Sequence, residues 1–345
     1  MDRELFERVC NTPGVSGFED AVQQVTAETL RTCCDEVRGD AMGNVIGLRK
    51  ATRPPDGEEP KRIMIAAHAD EVGMMVKHID DNGFIRFQPL GGLNPQVIVS
   101  QRVLIHGREP VRGVIVPDTR KDSREKATPV EEAFIDTGLA ADVLCERIEV
   151  GDVVTFDLPV EVLNDKMYVG RNFDDRIGTY CLLEAMRQVG ETQLDAYAVS
   201  SVQEEVGLRG ARPAAFSVAA DIGVAIDGSL AWGPYIKPHQ SLCEPGQGTG
   251  IYIMDRLTIG NRRLVAFLFE LCERRGIAVQ KNIGGGTDAA AIQQSRCGVM
   301  ATTIGAPVRY MHSTGQLCHA DDIEATVALL VAVMEHGHEL LAAAS

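Results

Sequence analysis

Five widely separated places in the chain carry residue types able to hold divalent cations: His68-x-Asp70, Asp174-Asp175, Glu204-Glu205, Asp227 and His312. Two imidazoles among several carboxylates suit zinc, cobalt or manganese better than calcium or magnesium, which prefer all-oxygen shells. One carboxylate shared by two ions about 3.5–4 Å apart would make a dinuclear centre, which lowers the pKa of a bound water towards roughly 7 and polarises a carbonyl oxygen. A carboxylate that does not ligate must then take the proton from that water. Adjacent side chains such as Glu204 and Glu205 point different ways, so one can ligate while its neighbour serves as base. Asp70, two residues from His68, is placed to accept the second ring N–H and fix the tautomer.

Taken singly, each group has an ordinary explanation. Asp174-Asp175 can cap a helix, Glu204-Glu205 can be solvated loop charge, and Asp227-Gly228 is a turn signal. A lone histidine after a strand is more often a core or surface residue than a ligand. Their shared placement favours a site. Short apolar runs at Ile63–Ala67, Ala196–Val202, Ile222–Ile226 and Val299–Ile304 suit buried strands, and His68, Glu204-Glu205 and Asp227 follow the first three. In an open α/β sheet, ligands bind beyond the carboxyl ends of the strands, so these side chains would converge on one rim. Asp174 begins a helix starting near Arg176, also a rim position.

Helical periodicity marks Phe18–Cys33, Arg176–Val189, Asn261–Arg275 and Ile323–Ala342. Strands alternating with helices argue for a largely parallel or mixed sheet covered on both faces. Arg53–Lys61 reads as a surface loop between strands. The segment 72–163 differs. It has alternating patches at Phe84–Phe87 and Val97–Ile105, a hairpin signal at Asp81-Asn82-Gly83, and one short helical stretch at Ala141–Arg147. That pattern suggests a small β-barrel or sandwich inserted into an α/β domain formed by 1–71 and 164–345.

The 345 residues set 49 acidic against 34 basic side chains, a formal net charge of −15, which disfavours nucleic-acid and anionic-membrane partners. No stretch reads as the roughly 20 apolar residues that span a bilayer. The nine cysteines are odd in number, irregularly spaced and without a C-x-x-C pair. This is reduced, cytoplasmic usage rather than a disulfide framework. Gly284-Gly285-Gly286-Thr287-Asp288 lacks the following lysine of a phosphate loop; Asp288 is a candidate helix cap. Lys237 and His239 are weighed as lining for an acidic side chain, and His336-x-His338 as a pair on different helical faces.

At these residues the sequence resembles the tetrahedral (TET) aminopeptidases, the glutamyl or deblocking aminopeptidases of metallopeptidase family 42, sometimes labelled cellulase M. The matching stretches are Thr12–Glu19, Gly43–Ile46, Ala67–Gly73, Asn172–Gly178, Gln203–Gly210, Gly285–Ala290 and Arg309–Ser313. The resemblance implies a mixed-sheet, phosphorylase/hydrolase-like α/β metallopeptidase domain carrying an inserted β-barrel-type domain that contributes to assembly. It implies two divalent ions (zinc, cobalt or manganese): His68 and Asp227 on one, Glu205 and His312 on the other, and Asp174 bridging. Glu204 would be the general base, Asp70 would orient His68, the Asp174–Asp175 peptide would be strained, and Asp288 is a candidate contact for a substrate amino group. The implied activity is hydrolysis of N-terminal residues from short peptides through a metal-bound hydroxide, by a homo-oligomer, a dodecamer. A deacylase or carboxypeptidase of the same fold is the alternative, and a glycosidase, which needs two opposed carboxylates and no histidine ligands, a more distant one. The sequence departs from the family pattern at Pro117–Val130, Ala231–Gly246 and Ser313–Gln316.

Overall fold

In the strand Arg62–His68, Ile63, Ile65 and Ala67 face one hydrophobic layer while Met64 and Ala66 face another. A two-residue period with apolar side chains on both faces is the signature of a central strand covered on both sides. The computed structural model describes residues 1–117, 129–233, 237–240 and 243–342; most of the polar stretch 117–130, and part of 231–246, lie outside them.

Arg62–His68 is central to an eight-stranded mixed sheet. Four neighbouring strands, Asp195–Ser201, Arg62–His68, Ile222–Ile226 and Met300–Gly305, run parallel, with Ser201 level with His68 and Ile226 level with Ile304. Glu36–Gly39 and Val45–Arg49 extend one edge, and Thr249–Met254 and Val279–Ile283 the other. The helices Arg3–Asn11, Phe173–Gln188, Arg262–Arg275 and Ala320–Ala342 bury their apolar faces on one side of this sheet. Ala211–Val218 and Ala289–Gln293 cover the other.

Between Gly73 and Phe156, six strands close a barrel in the order Gly73–Ile79, Ile85–Leu90, Phe134–Asp136, Pro110–Val116, Arg102–His106 and Val153–Phe156. Its interior is a separate core that includes Met74, Val76, Ile85, Val103, Ile105, Ile115 and Ile135. Asp81-Asn82-Gly83 forms the turn between the first two strands, and the short helix falls at Ala141–Arg147. A further five-stranded sheet is assembled from the short strands Glu161–Asn164, Met167–Gly170, Gln316–His319, Pro307–Arg309 and Ser229–Leu230.

One expectation is corrected by the helix Ala320–Ala342, whose 23 residues have the length and composition to cross a membrane. Half of its most apolar window is buried inside the protein, where Leu329, Leu330, Val333 and Met334 join the main core. Its apolar character is that of a helix seated against Phe173–Gln188 and the central sheet.

Candidate metal centre

His68 ends its strand, Glu204 and Glu205 follow the strand Asp195–Ser201, and Asp227 follows Ile222–Ile226. All stand at the carboxyl ends of parallel neighbours, where side chains leave the sheet towards a common space. Asp174 enters from the helix Phe173–Gln188, in which Asp174 and Asp175 are non-helical and regular turns begin at Arg176. The peptide between these two aspartates is cis. His312 arrives from the turn after Pro307–Arg309, with its own backbone left-handed at φ 59°.

The structure brings these residues into two trios that share Asp174. The ligand atoms of His68, Asp174 and Asp227 lie within 4.8 Å of one another, and so do those of Asp174, Glu205 and His312. Asp174 turns Oδ1 to His68 Nε2 at 3.1 Å and Oδ2 to His312 Nε2 at 3.3 Å. A carboxylate with one oxygen towards each imidazole is disposed to bridge two cations. Glu205 Oε2 lies 3.7 Å from His312 Nε2. Glu204 belongs to neither trio, and its Oε2 stands 3.9 Å from His68 Nε2.

The electrostatics are those of a site built for cations. Burial pushes Glu204 and Asp227 well above the ordinary carboxylate range, with Asp174 among the negative neighbours adding to the rise. Burial, then Asp174, raises Glu205 to about 8. Asp174 goes the other way: burial opposes its ionisation, but the two imidazoles outweigh it and hold the carboxyl low. His312 is raised to about 10, chiefly by its bond to Asp174. Glu205 Oε1 is buried with no hydrogen-bond partner among the described residues. Buried like charges of this density are unfavourable unless compensated, and divalent ions compensate them most directly. The donor set, nitrogen and carboxylate oxygen, fits such ions.

Asp70 has more tasks than the sequence suggests. His68 Nδ1 sits 3.0 Å from the Asp70 carbonyl oxygen and 3.5 Å from its carboxylate. The carboxylate itself accepts the backbone N–H groups of Glu204 at 2.9 Å and Glu205 at 3.1 Å, and the Ser16 hydroxyl at 2.7 Å. The second ring nitrogen of the histidine is thus held mainly by main chain, and the carboxylate fixes the acid pair. Asp175 accepts from His68 N–H at 3.3 Å, Thr179 donates to the His68 carbonyl, and Gln316 accepts from Asp174 N–H at 2.8 Å. Beneath them Arg176, fully buried, donates to the carbonyls of Val9, Thr12, Gly14 and Ala69 and to Glu71. Glu71 also receives Arg171 at 2.8 Å. Removing one partner from a buried ion cluster costs about 3–5 kcal/mol, so this lock holds the His68–Glu71 segment firmly.

His312 depends on the barrel side of the molecule. Its Nδ1 lies 2.9 Å from the Gly92 carbonyl oxygen, and a Cβ at Gly92 would come within 2.9 Å of that same nitrogen. Gly92→Ala is therefore expected to displace the imidazole and weaken binding of the ion it would hold by about tenfold to a hundredfold. A metal titration beside a thermal melt checks this; unchanged affinity would show that the close approach is without consequence.

The cavity over the trios measures about 730 Å³ and is lined by Asp174, Glu204, Glu205, Asp227 and His312 together with a wall that includes Met254, Arg256, Leu257 and Ile283. Asp288 does not line it. Asp288 occupies the cap position of Ala289–Gln293 without a capping bond, is 3% exposed, and accepts the Ser201 hydroxyl at 2.5 Å. Lys237 and His239 are exposed and not part of the lining, and His336 pairs with Glu339 on the terminal helix. Signals for Ser16, Arg176 and Gln203 lay within the matched motifs; Gly92 and Gln316 had none.

Residues 43–329 match the model of the M42 glutamyl aminopeptidase family. A lysyl aminopeptidase of Pyrococcus furiosus is 33% identical over 347 residues, covering 97% of each chain. Among solved structures, the TET aminopeptidase of a marine-sediment archaeon, Thaumarchaeota archaeon SCGC AB-539-E09, superposes with a TM-score of 0.93 at 32% identity, covering 99% of this chain and 98% of that one. The TET1 peptidase of Pyrococcus horikoshii, which can assemble into a tetrahedron or a large octahedral shell, does so at 0.85 and 28% identity, covering 96% and 99%. With the whole length matched and carboxylates and imidazoles gathered at one rim of the sheet, the chain belongs to the M42 glutamyl aminopeptidase family of metal-dependent aminopeptidases.

Proposed function

We infer that the centre takes two divalent ions, with His68 and Asp227 on one, Glu205 and His312 on the other and Asp174 between them, and that Glu204 is the general base. The observation that carries this reading is the pair of trios sharing Asp174. Zinc, cobalt and manganese suit the nitrogen–oxygen donor set. Such ions, when bound, polarise a carbonyl and activate water.

The chain's own residues supply the rest. Glu204 faces the cavity and belongs to neither trio, which leaves its carboxylate free to take a proton from the attacking water and deliver it to the departing amine nitrogen. His68 is kept in one orientation by the Asp70 carbonyl. A cavity of about 730 Å³ accommodates the end of a short peptide. Its carboxylate-rich floor attracts a free α-ammonium group. On the wall, Arg256 beside Met254, Leu257 and Ile283 favours an apolar or acidic first side chain over a lysine.

Segment 72–163 is taken as the inserted domain contributing to a homo-oligomer, a tetrahedral dodecamer by likeness to the Pyrococcus horikoshii assembly. The odd number and irregular spacing of the cysteines support a reducing, cytoplasmic setting. The test is a matched pair of substrates. Leucyl and glutamyl anilides with free amines should be hydrolysed, lysyl anilide more slowly, and the N-acetylated forms hardly at all. Hydrolysis of the free N-acetyl amino acids in place of the anilides would favour the deacylase alternative, for which Arg256 would receive their carboxylate.

A further inference from the structure

The segment Thr12–Glu19 supplies none of the ligands, yet Glu19 holds the amide just before the acid pair and Ser16 bonds to Asp70, the carboxylate that holds the pair's own amides. Glu19 is 5% exposed, and its Oε1 accepts the N–H of Gln203 at 3.0 Å and that of Gly17 at 2.9 Å. Ser16 donates to Asp70 Oδ2, and Asp70 accepts the next two amides, those of Glu204 and Glu205. Consecutive amides from 203 to 205 are thus held by two carboxylates from distant parts of the chain.

Gln203 has a left-handed backbone, φ 56°. A non-glycine residue adopts that conformation only where its surroundings hold it. Beyond it the loop closes on itself: Gly207 and Leu208 donate to the Glu204 carbonyl, Arg209 to that of Gln203 and Gly210 to that of Val202. The entry to the acid pair is gripped instead by Glu19. Glu19 occupies the N-cap position of the helix Asp20–Leu30 but makes no side-chain capping bond. Its carboxylate is turned to the loop rather than to the helix, where an N-cap residue ordinarily spends it.

We propose that Glu19 is a positioning residue for the acid pair: by fixing the Gln203 backbone it sets Glu204 towards the substrate and Glu205 towards the ion. This rests on the roles given above to Glu204 and Glu205. Hydrogen-bond partners that sit behind ligands change affinity or activity by about tenfold to a hundredfold when removed, and a base must stay within hydrogen-bond reach of the proton it takes.

The test uses Glu19→Ala, Glu19→Gln, Glu204→Gln and the double variant Glu19→Ala/Glu204→Gln, each assayed per metal-loaded site. Glu19→Ala should lower kcat by about tenfold to a hundredfold with KM little changed, and weaken one of two binding phases in a metal titration. Glu19→Gln keeps an Oε1 acceptor and should retain most of the turnover. In the Glu204→Gln background, removing Glu19 should cost almost nothing more, whereas a role in folding alone would multiply through. Wild-type kcat and metal affinity in Glu19→Ala, or an undiminished loss in the double variant, would overturn the proposal. Normal turnover in Glu204→Gln would discard the base assignment instead, and the metal titration then decides the positioning role by itself. Should Glu19→Ala not fold, Glu19→Asp, one methylene short of Gln203, carries the same comparison.

Discussion

Replacing Glu204 by glutamine should leave metal content unchanged and lower kcat by about 10²–10⁴, which corresponds to roughly 3–5 kcal/mol of lost transition-state stabilisation. Glutamine preserves the shape and the cavity contact but cannot take or return a proton. Glu204 lies outside both trios, 3.9 Å from the nearest ring nitrogen, so the ions should not register the change. Its backbone is pinned by Asp70, so the loop should also stay in place. The assay pairs elemental analysis with steady-state kinetics on one preparation. Near-normal turnover with full metal loading would remove Glu204 from the mechanism. Loss of metal together with activity would mean that it ligates, and the roles of Glu204 and Glu205 would have to be exchanged.

How much of this arrangement could be read from the chain alone depends on the range of the interactions involved. The strand ends at His68, Ser201 and Ile226 were legible because a buried parallel strand is a short apolar run and its functional side chain follows directly. The helix read at Asn261–Arg275 was legible through its periodicity; it begins at Arg262, with Asn261 as its cap, accepting from Arg263 and Leu264. The five-stranded sheet was not. Its strands have two to four residues, too few for alternation to declare itself, and the pairing that joins its halves, Met167–Gly170 with Gln316–His319, crosses a gap of more than a hundred residues. Gly92 was likewise invisible, because its contact with His312 spans 220 positions and glycine leaves no chemical signature.

Asp70 shows a subtler limit. A carboxylate two residues from a ligand histidine is expected to hold the ring, since in many sites it does. Here the strand ends at His68 and the chain bends so that the Asp70 carbonyl faces the ring at 3.0 Å, while the carboxylate, 3.5 Å from the same nitrogen, also takes the amides of Glu204 and Glu205. Residue type announces what a side chain can accept; only the backbone path decides what it meets.

That distinction bears on Asp174, where the largest single effect on metal content is expected. Asp174→Ala should abolish binding of both ions, whereas Asp227→Ala and His312→Ala should each weaken one. The asymmetry follows from the two oxygens of one carboxylate facing different imidazoles, at 3.1 and 3.3 Å. Removing it takes a ligand from each trio and also the negative charge between two cations, whose mutual repulsion at about 3.5–4 Å would then be unscreened. Activity should fall at least as far as in Glu204→Gln, and should not return on adding excess metal, while the chelated unmodified protein should recover. Isothermal titration resolves the outcomes by stoichiometry. If Asp174→Ala still binds one ion with unaltered affinity, the two trios do not share their central ligand and the dinuclear reading fails, because a single-ion site would need Asp174 on one side only.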